Sequence, residues 1–204
     1  PESAEIILAN GERYSWGNLY STLPLPELIS LIKDVPKGIL EASRLLKCTS
    51  FKVVNLCFDY NIDTNKSWIY FSDPSIPFVR ASFPHNLSIN NAPSGKSSIS
   101  LEIPYLSCRE PTPSINEDSI LEQLISLDII SSKRGILSCT VHDMPYAYVI
   151  FDHQRKSAIS LIEKYLLSLP ITSFGRFGSW VYLWSDEAIL CGKKVAEKHI
   201  LGST

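Results

Sequence analysis

The run Ser50–Tyr60 constrains the fold more than any other part of the chain, because it consists largely of β-branched and aromatic residues. This composition predicts a central β-strand, and a central strand needs a neighbour on each side. Similar stretches bounded by prolines or turn residues predict further strands: Asn18–Leu23, Trp68–Phe71, Phe78–Phe83, Ile99–Tyr105 and Ile136–Val149, the last bent near Pro145. The chain is therefore expected to fold around a sheet.

Several other segments predict helices, because their apolar residues recur at a spacing of three and four. These segments are a helix starting near Pro26, then Lys37–Leu46, Asn116–Leu127, Gln154–Leu167 and Asp186–Ile200. Asn10-Gly11 predicts a hairpin, because both positions of the tightest hairpin turns take positive φ, and the polar stretch Asn86–Ser98 predicts a loop. We therefore predict an α+β fold with a mixed, mostly antiparallel sheet of about five to seven strands and packed helices.

Composition narrows the class of protein. Nineteen basic and 21 acidic residues give a net charge of −2, so no basic face for nucleic acid is expected. No apolar run approaches the ~18 residues that a transmembrane helix needs. The polar and acidic start Pro1–Glu5 is unlike a signal peptide. Because Pro1 is not a natural start, we expect a fragment or a processed product of a cytoplasmic protein.

The cysteines and histidines point away from disulfide and metal chemistry. The five cysteines are odd in number, scattered and without a Cys-x-x-Cys pair: Cys48, Cys57, Cys108, Cys139 and Cys191. This pattern predicts mostly buried free thiols in a reducing compartment. The four histidines are too dispersed to predict a metal site. No catalytic residue can be named from the sequence.

The stretch Gly175–Asp186, here called the Gly-Arg segment, has the most specific pattern in the chain. It predicts a glycine turn, a short aromatic strand and a helix capped by Ser185. Gly175 and Gly178 would allow close backbone approach, and the guanidinium of Arg176 offers a rigid fork of donors suited to a diphosphate. The N-terminus of the following helix would favour an anionic group.

Each of these residues also has a simpler explanation. Arg176 can be a surface arginine at a turn, and Asp186 can be an ordinary acid at a helix start. Trp180, Tyr182 and Trp184 alternate, so they can form either a packed strand face or a stacking surface for a ligand. A row of small residues along the last helix suits either helix packing or a flat ligand: Ala188, Gly192 and Ala196.

The Gly-Arg segment resembles the C-terminal flavin-contacting segment of the amine oxidase, protoporphyrinogen oxidase and UDP-galactopyranose mutase flavoproteins. The opening Ile6–Pro24 is similar to their hairpin, strand and Thr-x-Pro turn, and Phe51–Phe58 is similar to a central strand of their substrate domain. Tyr146–Val149 and the helix after it resemble the elements that precede their Gly-Arg segment. Pro145 departs from the pattern, because it precedes the aromatic residue rather than following it.

These flavoproteins also carry a Gly-x-Gly-x-x-Gly motif for the FAD pyrophosphate, and this sequence has none. The resemblance therefore implies a substrate-binding α+β domain over 1–170, with 171–204 belonging to the FAD-binding side of a two-domain flavoprotein. The missing N-terminal dinucleotide-binding half becomes the expected partner. The implied cofactor is FAD, and its implied contacts are Gly175, Arg176, Gly178, Tyr182, Ser185 and Asp186.

The resemblance implies that the chain is the substrate-binding and cap portion of an FAD-dependent oxidoreductase or mutase. Implied substrate contacts are Arg80, which lies mid-strand among apolar residues, and Trp180. The substrate would be a small molecule, with nucleotide sugars among the candidates. We expect the fragment alone neither to retain FAD nor to turn over substrate. The alternatives are a non-catalytic binding module derived from such a flavoprotein and an unrelated α+β domain.

Overall fold

A computed structural model describes residues 4–106 and 112–202. The chain divides into two compact units, one formed by residues 1–48 together with 148–204 and the other by residues 49–147. Residues 171–204 therefore share a unit with the start of the chain. The assignment of 171–204 to an FAD-binding side refers to a second half of the parent protein, and it stays a prediction.

The described residues form nine strands and seven α-helices. The strands are β1 (Glu5–Ile7), β2 (Arg13–Ser15), β3 (Leu19–Ser21), β4 (Cys48–Phe58), β5 (Trp68–Tyr70), β6 (Arg80–Ser82), β7 (Ser97–Tyr105), β8 (Ile136–Val149) and β9 (Ile171–Ser173). The helices are α1 (Leu25–Leu31), α2 (Lys37–Arg44), α3 (Pro84–Leu87), α4 (Glu117–Ser126), α5 (Arg155–Leu166), α6 (Gly175–Gly178) and α7 (Ser185–Gly202). The predicted α+β class is confirmed.

The unit of residues 49–147 is built on a five-stranded sheet in the order β5-β6-β7-β4-β8. β4 lies between β7 and β8, so the prediction of a central strand is confirmed. β7 runs antiparallel to both β4 and β6, and β6 runs antiparallel to β5. The predicted loop Asn86–Ser98 is partly wrong, because it contains the end of α3 and a 3-10 turn at Ile89–Asn91.

One face of this sheet forms an apolar core. Alternate residues of β4 point to that face, and Val54, Leu56 and Phe58 have no exposed surface. The side chains of α4 that pack with them are Ile120, Leu121 and Leu124. Each such burial contributes about 1.5–3 kcal/mol relative to an exposed side chain. Asn116 caps α4 by accepting the Ser119 N–H, which explains why this helix starts where the sequence predicts.

The unit of residues 1–48 and 148–204 is mainly helical. α2 packs on α5, and α1 contacts both α2 and α6. β1 and β2 form the predicted antiparallel hairpin, but its loop is wider than a two-residue turn, because the Leu8 N–H bonds to the Glu12 carbonyl. Gly11 alone of the two predicted turn residues has positive φ, at +87°. β9, which pairs in parallel with β3, was not predicted.

Four of the five cysteines lie in the described residues. Of Cys48, Cys57, Cys139 and Cys191, only Cys48 is buried, and the other three are partly exposed. The expectation of mostly buried thiols is therefore wrong for those three, and Cys108 lies outside the described residues. Within the part of the chain that the structure describes, no helix is both long enough and apolar enough to cross a membrane.

Candidate functional site

The two glycines of the Gly-Arg segment have different structural roles. Gly175 begins α6 with φ +80°, a conformation that other residues adopt only at a cost. Gly178 lies close to the β3–β9 pair, where a Cβ atom would be 3.0 Å from Ser173 Oγ and 3.2 Å from the Ser21 carbonyl oxygen. Ser173 Oγ also donates to the Gly178 carbonyl at 2.9 Å. Both glycines are thus required by the local backbone.

The chain after α6 differs from the prediction. The expected aromatic strand over residues 180–184 is absent, because the backbone turns at Trp180, which has φ +51°. The Val181 N–H then donates back to the Arg176 carbonyl at 2.9 Å. Trp180 is 1% exposed while Tyr182 and Trp184 are 40% and 66% exposed, so the three rings do not share a strand face. The burial of Trp180 favours its packing role over a substrate contact.

Arg176 lies at the centre of an aromatic cluster. Its Cζ atom is 4.7 Å from the ring centroid of Tyr182, 5.1 Å from that of Tyr148 and 5.5 Å from that of Phe177. Tyr148 and Tyr182 stack on each other at 5.7 Å with an interplanar angle of 19°. Arg176 Nη1 donates to the Leu183 carbonyl at 3.2 Å. We call Arg176, Tyr148, Phe177 and Tyr182 the arginine–aromatic cluster.

A glycine pair in this unit allows a test of the backbone geometry. Gly178→Ala is expected to lower the free energy of unfolding by about 1–3 kcal/mol, because the added methyl group meets backbone and hydroxyl atoms. Gly192→Ala is the matched control, since its Cβ would lie 3.8 Å from the Phe174 ring and the site is inside α7. It is expected to raise stability by roughly 0.5–1 kcal/mol. Urea denaturation measures both, and equal effects would contradict the geometry.

The start of α7 lies one residue before the predicted position. The Trp184 carbonyl accepts the first helical bond from the Ala188 N–H at 2.9 Å. The Glu187 carboxylate accepts the Trp184 N–H at 2.7 Å, which is one half of a capping box. Ser185 is thus the first helical residue, and the prediction that it caps the helix is wrong. Ser185 and Asp186 are both exposed in the first turn, and their predicted cofactor contacts stay predictions.

α7 presents an apolar surface that its own unit does not cover. None of its residues with a described side chain is buried, and the side chains of Ile189 and Leu201 are each 73% exposed. A groove of about 330 Å³ runs along it, and its lining residues are Tyr20, Phe174, Gly192, Val195, Ala196, His199 and Ile200. Two members of the predicted small-residue row, Gly192 and Ala196, thus line this groove.

Arg80 belongs to the unit of residues 49–147. It lies on the face of the five-stranded sheet that does not form the apolar core. The register places it beside Tyr70 of β5 and Glu102 of β7. Its Nη2 atom donates to Glu102 Oε1, and its Nη1 atom donates to the Tyr70 hydroxyl. Burial alone would lower the pKa of Arg80, but the bonds to Glu102 and Tyr70 outweigh it and raise this pKa. The next row across the sheet on this face holds the exposed Trp68 ring and three polar side chains, those of Ser82, Ser100 and Asn55.

The structure brings some of the predicted site residues together and separates others. Gly175, Arg176, Gly178 and Tyr182 are within one local arrangement, whereas Arg80 belongs to the other unit. The sequence did not indicate Tyr148 or Phe177 as neighbours of Arg176. It also gave no sign of Glu102 as the partner of Arg80, because that contact depends on strand register. The cofactor and substrate roles of these residues stay predictions.

Comparison with known proteins supports the fold. No protein-family model matches the sequence, and no curated protein matches it. A crystal structure of reduced UDP-galactopyranose mutase matches 100% of this chain and 45% of its own, with a TM-score of 0.83 and 23% identity. A provisionally assigned protoporphyrinogen oxidase from Exiguobacterium sp. 255-15 matches 80% of this chain and 36% of its own, with a TM-score of 0.58 and 12% identity.

At these identities the likeness establishes the fold alone. The predicted resemblance to these proteins is confirmed at that level. The chain spans less than half the length of either matched structure, since they are covered over 45% and 36%.

Proposed function

We propose that this chain is the substrate-binding and cap portion of an FAD-dependent oxidoreductase or flavin-dependent mutase. The arginine–aromatic cluster carries the proposal, because it combines a fixed guanidinium with partly exposed rings. Guanidinium groups bind diphosphates through paired donors, and aromatic rings stack against flat ring systems. FAD contains both a diphosphate and two flat ring systems. The donor set of the Gly-Arg segment therefore fits this cofactor.

In the proposed complex, each residue of the segment has a separate task. Gly175 and Gly178 allow the backbone to turn tightly, and Arg176 bonds to the diphosphate. Tyr182 borders the ring system, while Ser185 and Asp186 at the exposed start of α7 contact the polar part of the cofactor. Bound FAD supplies hydride transfer or nucleophilic attack from its reduced ring, and the chain supplies orientation and exclusion of water.

The uncovered surface of α7 supports the proposal that a second half of the parent protein packs there. A helix with large apolar side chains exposed in its own unit gains stability when another element covers them. The expected partner is the dinucleotide-binding half, whose Gly-x-Gly-x-x-Gly motif has no counterpart in this sequence. The exposed groove argues against a stand-alone domain whose likeness to flavoproteins is accidental.

The polar sheet face around Arg80 is the proposed substrate surface. The Arg80 side chain is 27% exposed, and several hydroxyl and amide groups lie on the same face of the sheet. Anionic small molecules, including nucleotide sugars, suit a guanidinium on such a surface. An incoming anion would compete with Glu102 for Arg80.

The ion pair between Arg80 and Glu102 favours one alternative function. Glu102 already neutralises Arg80, which suits a non-catalytic binding module derived from a flavoprotein, because such a module needs no guanidinium for an anionic substrate. The full-length protein separates the two, since a Gly-x-Gly-x-x-Gly motif following a strand supports the enzyme and its absence supports the module.

The proposal predicts how the isolated chain behaves toward flavin. The 204-residue chain, purified alone and titrated with FAD, is expected to stay colourless after desalting, because it holds only one of two cofactor-contacting segments. The visible absorbance spectrum measures this directly. A stoichiometric flavin peak on the isolated chain would contradict the proposed division of the cofactor site.

A further inference from the structure

Trp180 has a backbone conformation that requires support. Its φ of +51° is uncommon for a residue with a bulky side chain, and its ring is almost fully buried. Such conformations persist when surrounding contacts determine them. The ring contacts Phe177 with a centroid distance of 6.4 Å, but this contact fixes the side chain and not the carbonyl group.

Arg155, at the start of α5, provides the support for that carbonyl. Its Nε atom donates to the Trp180 carbonyl oxygen at 2.9 Å, and its Nη2 atom donates to the same oxygen. The guanidinium lies over the Phe151 ring with Cζ 4.2 Å from the centroid. Burial lowers the pKa of Arg155, yet an arginine keeps its proton at physiological pH. Two donors from one rigid fork fix both the position and the direction of the carbonyl.

The backbone conformation at Trp180 sets the direction in which the chain continues toward Tyr182. Tyr182 follows two residues later and stacks on Tyr148 beside Arg176. We propose that Arg155 is a positioning residue, which holds the Trp180 turn and thereby sets the Tyr182–Arg176 arrangement that receives the cofactor. The cofactor part of this inference rests on the proposed function, whereas the positioning part concerns this chain alone.

Hydrogen exchange in the isolated chain tests the positioning part without any flavin. The reporter is the Val181 N–H, which bonds to the Arg176 carbonyl across the turn. Arg155→Met removes both donors but keeps an apolar stem, and it is expected to accelerate Val181 exchange by roughly tenfold or more. Arg155→Lys keeps the charge but lacks the paired guanidinium donors. Its Val181 exchange rate is expected to lie between those of Arg155→Met and the wild type. Unchanged exchange of the α2 amides, which belong to the same unit as Arg155 and Val181, shows that this unit stays folded in each variant.

Lys47→Met is the matched control, because Lys47 pairs with Asp152 at 2.8 Å near the same helix start. It is expected to leave Val181 exchange unchanged. If Arg155→Met also leaves it unchanged, the inference is wrong.

FAD affinity of the full-length protein tests the functional part. Arg155→Met is expected to weaken FAD binding by about tenfold while Lys47→Met does not. Faster Val181 exchange with unaltered FAD affinity would overturn the cofactor role of Arg155. If Arg176→Ala also leaves FAD affinity unaltered, the proposed function itself fails, and the exchange result still decides the positioning part.

Discussion

Replacing Arg176 with alanine in the full-length protein is expected to weaken FAD retention by about tenfold to hundredfold. The reason is the loss of charge-assisted hydrogen bonds to the diphosphate, each of which contributes about 1.5–3 kcal/mol. The substitution also removes contacts of the guanidinium with Tyr148 and Tyr182, which contribute about 0.5–1 kcal/mol each at partly exposed sites. FAD affinity is measured by titrating the flavin-free protein and following flavin fluorescence.

Arg13→Ala provides the matched control for this substitution. Arg13 is an exposed arginine of the same unit and pairs with Glu5 across the β1–β2 hairpin. Its loss is expected to leave FAD affinity unchanged, because an exposed ion pair on a hairpin has no place in the proposed site. Equal FAD affinity in the Arg176→Ala variant and the wild type would rule out the phosphate role of Arg176.

Replacing Trp180 with alanine is expected to lower the free energy of unfolding of the chain by about 3–5 kcal/mol. Trp180 has the largest side chain among the fully buried residues, so its removal leaves a large cavity. Urea denaturation followed by circular dichroism measures the change. Trp184→Ala is the matched control, since Trp184 is mainly exposed, and a change within about 0.5 kcal/mol is expected there.

Trp180→Gly separates the backbone effect from the loss of the ring. Glycine tolerates the positive φ at this position, so this variant is expected to be about 1 kcal/mol more stable than Trp180→Ala. Equal losses at positions 180 and 184 would show that burial of the Trp180 ring does not hold in solution.

Local composition was enough to predict the strands and helices whose own residues carry a clear pattern. β8 spans the predicted range Ile136–Val149, and Asn116 marks the start of α4 because its side chain can accept an N–H at a helix start. β9 escaped prediction because it has only three residues and pairs with β3, far away in the sequence. Parallel pairing of such short strands leaves no periodic pattern.

The candidate site was predicted less completely, because its geometry depends on distant partners. Residue types and spacing indicated Gly175, Arg176 and Gly178. The alternation of aromatic residues after Gly178 nevertheless predicted a strand that does not exist, because Arg155 holds Trp180 in a turn. The positions of Tyr148 and Glu102 depend on folding and on register, which no local pattern encodes.

The flavin content of the full-length protein tests the central claim most directly. The protein is purified without added cofactor, its visible spectrum is recorded, and the flavin released on denaturation is identified and quantified against protein. We predict close to one FAD per chain in the wild type and a clear loss in the Arg176→Ala variant. The contradicting result would come from a full-length protein that carries a dinucleotide-binding half. The assignment is wrong if this protein binds no FAD when titrated, and if the wild type and the Arg176→Ala variant behave identically.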